Sequence, residues 1–179
     1  MFLLERFDHN IKKLKAQTAN ILTMVNLSLG VLGVLFILKG ELHTSLLMIF
    51  LAAFFDRFDG MIARKLQIES EFGKQLDSLC DLISFGIAPA LLLYQAVVFN
   101  YGAAGVWFTI IYILCGAIRL ARFNVTEFTG SFVGLPITAS GCILTVSYLA
   151  IQHLPGFIFM FLLLILSFLM ISTFQIKKM

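Results

Sequence analysis

The sequence predicts an all-α integral membrane protein: six transmembrane helices preceded by an amphipathic helix at the membrane surface. Three observations carry this prediction. Hydrophobic residues make up 60% of the 179-residue chain and charged residues only 13%, with a mean hydropathy of +0.97, a balance of bilayer proteins rather than globular ones. The apolar residues form helix-length runs separated by short turn-forming segments. Of the 13 Lys and Arg residues, all but Lys39 fall on one side of the resulting topology. A net charge of +3 is too small to draw the chain to nucleic acid, so no such partner is expected.

Each element has its own reason. Along residues 1–18, Leu4, Phe7, Ile11 and Leu14 step by three or four and form an apolar stripe, with Arg6, Lys12, Lys13 and Lys15 mostly off it. That pattern predicts a juxtamembrane helix lying on an anionic lipid surface. The basic run precedes a long apolar stretch without a small-residue cleavage site, which argues against a secretory signal. Residues 19–179 form the transmembrane domain, with spans near 19–38, 42–64, 72–99, 104–122, 133–152 and 156–174. Each is close to the ~20 residues that cross a bilayer. Turns at Lys39-Gly40-Glu41, Asn100-Tyr101-Gly102 and His153-Leu154-Pro155-Gly156 join them on one side. Loops at 65–71 and 123–132 join them on the other. The basic side faces the cytoplasm, so both termini are expected there, in a multi-pass protein of the cell membrane. Cys80, Cys115 and Cys142 lie in apolar segments without C-x-x-C spacing and read as packed free thiols.

Between the second and third spans the chain departs from this apolar pattern. The stretch Asp56-Arg57-Phe58-Asp59-Gly60-Met61-Ile62-Ala63-Arg64, continued through Gly73, Asp77 and Asp81, places four aspartates between positions 56 and 81. A carboxylate at bilayer depth costs on the order of 3 kcal/mol, so four of them need a compensating partner. Asp56 and Asp59 stand at i and i+3, with Gly60 and Ala63 completing the stripe; Gly73, Asp77 and Asp81 form a second stripe on the next helix. Two acidic stripes facing each other across a short loop make a site for a hard divalent cation, Mg²⁺, Mn²⁺ or Ca²⁺, which in turn holds phosphates. Thr23 and Asn26 are polar residues inside the first span, where side chains of this kind bond neighbouring helices. Arg119 and Arg122, at i and i+3 near the inner end of the fourth span, have the reach to snorkel to lipid phosphates.

Read as D-x-x-D-G-x-x-A-R, eight residues, then G-x-x-x-D-x-x-x-D, the acidic stretch resembles the signature of the CDP-alcohol phosphatidyltransferases. Asp56, Asp59, Gly60, Ala63, Arg64, Gly73, Asp77 and Asp81 fill every fixed position. The segment Cys115 to Asn124, followed by Gly134-Leu135-Pro136, resembles the phosphatidylserine synthases within that family. The resemblance implies transfer of a phosphatidyl group from CDP-diacylglycerol to the hydroxyl of L-serine, with release of CMP, and it makes 19–179 a catalytic domain opening to the cytoplasm. It implies that Asp56, Asp59 and Asp77 are the principal ligands of Mg²⁺ or Mn²⁺, with Ca²⁺ able to occupy the site. Asp81 completes the set and serves as general base. Arg64 would hold a phosphate, while Gly60, Ala63 and Gly73 let nucleotide and metal approach the helices closely. Asn26 and Thr23 would meet the cytidine end. Arg119, Arg122 and Asn124 would form the acceptor pocket, an arginine taking the serine carboxylate. Membrane lipids and a second copy, in a homodimer, are the other expected partners.

Two alternatives remain at this point. A phosphorylated polyol wants at least as much positive charge as serine, so glycerol phosphate or another alcohol is the rival acceptor. A cation transporter is the rival from another class. Transporters place their sites near the midplane at broken helices related by internal repeats, whereas these acids sit at the cytoplasmic ends of two consecutive spans beside an arginine.

Overall fold

A computed structural model describes residues 2–66, 71–125, 131–172 and 175–177, with side chains placed within 20–58, 60–61, 71–125 and 134–172. Helix α1 (Phe2–Leu38) and helix α2 (Leu42–Leu66) form an antiparallel hairpin. Gly40 closes its turn with φ 79°. The Gly40 N–H donates to Ile37 O and the Glu41 N–H to Phe36 O, both at 2.9 Å, the paired bonds by which a left-handed glycine ends a helix. Helix α3 (Glu71–Asp81) runs through a π-helical turn (Leu82–Ile87) into α4 (Ala88–Ala96), and a 3₁₀ turn at Val98–Tyr101 leads to α5 (Gly102–Val125). Strand β1 (Ser131–Val133), helix α6 (Ile137–Ser147) with a 3₁₀ turn at Tyr148–Ala150, helix α7 (Phe157–Ile171) and strand β2 (Gln175–Lys177) complete the order. The two strands pair antiparallel, Ser131 opposite Lys177 and Val133 opposite Gln175.

Three details differ from the reading of the sequence. The N-terminal segment and the first span are one uninterrupted helix, not two elements meeting at residue 18. Residues 131–133 are strand, so the fold is helical with one short ribbon, and the helix of the expected fifth span, α6, begins at Ile137 rather than at 133. There Gly134, at φ 77°, and Pro136 turn the chain from the ribbon into the helix. The third span is not a regular helix but carries the π turn.

Among the described residues, Asn20–Leu38, Glu71–Ala96 and Val98–Val125 are long and apolar enough to cross a membrane. Ile137–Ala150 and Phe157–Ile171 are apolar but shorter, about 21–23 Å at 1.5 Å per residue against ~30 Å of hydrocarbon. Large apolar side chains including Leu38, Leu47, Trp107, Phe161 and Phe168 face outward. A water-facing surface does not carry so many, and a lipid-facing one requires them. The chain is a membrane protein. Its hydroxyls follow the same logic: Thr109, Thr145 and Ser167 donate to the carbonyls of Gly105, Gly141 and Leu163, four residues back, at 2.7–2.9 Å, which satisfies them without water.

The core gathers round the π turn. Phe85, Tyr112, Ile137, Leu144, Phe159, Leu163 and Met170 pack there, while Ile37, Ile49 and Leu92 fill a second cluster between α1, α2 and α4. Pro89 explains the wide turn. Proline has no N–H to give the carbonyl four residues earlier, and its ring would clash with that carbonyl in a regular helix. The Ala88 N–H instead reaches Ile83 O, five residues back. The Phe85 carbonyl that proline cannot serve accepts a bond from the Tyr112 hydroxyl of α5 at 3.2 Å. Gly141 lets α6 lie directly on this turn, since an added Cβ would come within 2.6 Å of Phe85 O.

Tyr112→Phe strands the Phe85 carbonyl in the core and should cost about 1–2 kcal/mol. Gly141→Val should be worse, because backbone rather than a flexible side chain has to yield. Thermal unfolding in detergent, followed by circular dichroism, should order the midpoints as wild type, Tyr112→Phe, Gly141→Val. A Gly141→Val midpoint equal to wild type would refute this account of the packing.

Candidate metal and substrate site

On α2, Ala53, Asp56, Arg57 and Gly60 fall at i, i+3, i+4 and i+7 and so share one face. On α3, Asp77 and Asp81 are one turn apart. These six residues form two walls of a cleft of about 550 Å³, and Pro136, Thr138, Ala139 and Cys142, at the start of α6, form the third. Asp56, Asp77 and Asp81 present carboxylate oxygens that all lie within 4.8 Å of one another. Oδ1 of Asp81 is buried from solvent.

Like charges this close repel on the order of 3 kcal/mol per pair at the effective dielectric of a protein near its surface. A cation among them removes that cost. The donor set is all hard oxygen, from three separate turns of helix, and fits a hard divalent ion of the Mg²⁺, Mn²⁺ or Ca²⁺ kind. Two further buried polar atoms stand on α1 and α5. Asn26 Oδ1 and Arg119 Nε are buried and have no hydrogen-bond partner among the described residues.

The surroundings show how the acids are held. Asn26, fully buried on α1, donates through Nδ2 to Asp56 Oδ1 at 3.4 Å. Its own carbonyl accepts from Ser84 Oγ at 3.3 Å, in the π turn. Asn26 therefore ties α1, α2 and the π turn beneath the cleft. Asn26 and Thr23, expected to meet the cytidine end, are both buried within the bundle. Gly60 is in the wall, and Gly73 is not. Asp59, Ala63 and Arg64 stand on α2, but their side chains lie outside the described residues.

The expected acceptor residues separate into different roles. Arg119 is half-buried and has Asp81 as its electrostatic neighbour. Arg122 donates from Nη1 to Ile171 O at 3.1 Å, satisfying a carbonyl in the last turn of α7, where a cation also complements the helix dipole. Asn124 accepts from Ser78 Oγ at 3.2 Å and donates to Gln75 Oε1 at 3.1 Å, both on α3. Arg122 and Asn124 thus each bond a neighbouring helix.

Arg57 and the α6 wall were missed in the sequence. Arg57 was legible, since its spacing from Ala53 and Gly60 puts it on the acidic face. The α6 residues carry no local signal, and only the packing of Gly141 on the π turn brings them beside the acids. Cys142, expected to be a packed free thiol, is free and half-buried, and it stands in the cleft wall.

Comparison with known proteins agrees with this geometry. The sequence pattern of the CDP-alcohol phosphatidyltransferase family matches residues 16–173, a stretch containing all the acids of the cleft. The CDP-diacylglycerol–serine O-phosphatidyltransferase of Bacillus subtilis is 36% identical over 129 residues, 71% of this chain and 73% of that protein. The archaetidylserine synthase of Methanothermobacter thermautotrophicus is 38% identical over 177 residues, 94% of this chain and 74% of that protein. The CDP-diacylglycerol–serine O-phosphatidyltransferase of Methanocaldococcus jannaschii is 39% identical over 156 residues, 87% and 71% of the two chains. A three-acid cleft inside a matched segment of this length leads to one conclusion: the chain belongs to the CDP-alcohol phosphatidyltransferase family.

Proposed function

We propose that this protein transfers the phosphatidyl group of CDP-diacylglycerol to the hydroxyl of L-serine, forming phosphatidylserine and releasing CMP at the cytoplasmic face of the cell membrane. The observation that carries the reading is the cluster of Asp56, Asp77 and Asp81 in a cleft that also holds Arg57. The names of the relatives supply serine as acceptor. Asp56, Asp59 and Asp77 would hold the divalent ion, Mg²⁺ or Mn²⁺. When bound, that ion supplies positive charge for the diphosphate as the bond to CMP breaks.

The chain's own residues do the rest. Asp81, one turn deeper than Asp77, takes the proton from the serine hydroxyl as its oxygen bonds to phosphorus, and CMP departs with the electrons of the broken P–O bond. Arg119 beside Asp81 captures the serine carboxylate and so delivers the hydroxyl to the base. Arg57 and Arg64, on α2, hold phosphate oxygens. Six membrane crossings, a basic N-terminal extension of α1 on the cytoplasmic side and a homodimer complete the proposal.

Asp56→Asn and Asp77→Asn should each abolish CMP release and weaken Mn²⁺ binding at least tenfold, and EDTA should silence the wild type reversibly. Full activity in excess chelator would end the metal reading, whatever the mutants did.

Arg119→Ala should raise the Michaelis constant for serine about ten- to a hundredfold, the worth of one charged hydrogen bond, and leave CDP-diacylglycerol binding near wild type. Serinol, which lacks the carboxylate, should be a poor substrate of the wild type and lose little more in the mutant. Release of CMP with glycerol 3-phosphate but not with serine would overturn the acceptor.

Cysteines placed at 40 or 101 should react with an impermeant reagent outside intact cells, and cysteines at 68 or 127 should not. The reverse pattern would invert the topology.

A further inference from the structure

Asn124 stands at the end of α5, outside the cleft, yet both ends of its amide are engaged by the helix that carries Asp77 and Asp81. We infer that Asn124, with Gln75 and Ser78, is a positioning clamp that sets the rotation of α3 and thereby the spacing of the metal-binding carboxylates. The inference rests on the metal reading given above and adds to it a residue that touches neither metal nor substrate.

Helical geometry makes the case. At ~100° per residue, Ser78 and Gln75 lie roughly a quarter to a half turn round α3 from Asp77. The clamp therefore grips the flank of α3 beside the acidic stripe. Two bonds at different heights on one helix resist rotation, whereas a single bond would act as a pivot. The demand for such control is steep. A carboxylate about 6 Å from a helix axis moves about 2 Å when the helix turns by 20°. Metal–oxygen bonds tolerate only about 0.2 Å.

The fixed end of the clamp is also visible. Two residues before Asn124, Arg122 bonds Ile171 O and holds the last turns of α5 to the end of α7. One turn further back, Arg119 has Asp81 as its electrostatic neighbour. The Lys74–Glu71 ion pair nearby is exposed and local to α3, so it does nothing to anchor the helix to the bundle. Asparagine suits the task because it accepts from a hydroxyl and donates to an amide oxygen at once, without adding charge beside the acids.

The test is a titration of Mn²⁺ into the full-length protein in lipid nanodiscs, with free Mn²⁺ read by electron paramagnetic resonance. Asn124→Ala and Gln75→Ala should each weaken Mn²⁺ binding about three- to tenfold, toward the low end for residues supporting a metal site. The double variant should be no weaker than the worse single one, because the residues act as a unit. At saturating Mn²⁺ the Michaelis constant for serine should stay within about twofold of wild type. Wild-type Mn²⁺ affinity in both variants would overturn the clamp alone. So would an Asn124→Ala protein whose only defect is a raised Michaelis constant for serine, the sign of an acceptor contact. Gln75 is exposed, so Gln75→Ala keeps its packing and decides the matter if Asn124→Ala fails to fold. A wild type that binds no Mn²⁺ overturns the metal reading and this inference with it.

Discussion

Three carboxylates with oxygens inside 4.8 Å of one another are the constraint on which the rest of this protein depends. In a chain of this hydropathy they would drive their helices apart unless the bundle forced them together and a cation completed them. Stability and chemistry conflict here in an understandable way. The same repulsion would be relieved by a divalent ion, which is how such a cluster would come to bind one.

The bundle enforces the arrangement through backbone, which cannot relax as a side chain can. Pro89 denies the Phe85 carbonyl its usual donor, the helix widens, and Tyr112 and Gly141 then hold the widened turn from two other helices. The irregular turn begins at the residue after Asp81. Ser84, within it, bonds the backbone of Asn26, and Asn26 bonds Asp56. One defect in one helix is thus linked through two hydrogen bonds to an acid on another. Irregular backbone is tolerated at membrane depth only where neighbouring protein satisfies it, and here the Tyr112 hydroxyl satisfies the Phe85 carbonyl.

The end of α5 shows how closely specificity and scaffolding can lie in sequence. Within six residues Arg119 has Asp81 as its electrostatic neighbour, Arg122 bonds the end of α7, and Asn124 bonds α3. A helix places i and i+3 about 60° apart and turns i+5 well away from both, so a short polar segment reaches more than one neighbour. Conservative replacements in this segment would have effects on acceptor, stability and metal that are separable by measurement but not by inspection of the sequence.

The sequence by itself determined the class of fold, the helix-length segments and the identity of the acids, because bilayer thickness sets the length of an apolar run and the cost of a charge in lipid singles out every exception. Asp56, Asp77 and Asp81 were legible for that reason, and the fixed gaps between them pointed to the family. Tertiary structure alone decided which polar residues face the cleft. Asn26, Arg122 and Asn124 read as ligand contacts in a linear motif, and the fold shows that each also bonds a residue 30 to 49 positions away. The third wall of the cleft likewise comes from α6, brought beside the acids by a glycine packed on a carbonyl. No local pattern encodes such a contact, since it depends on the crossing of helices and on a π turn whose rotation shifts every side chain that follows.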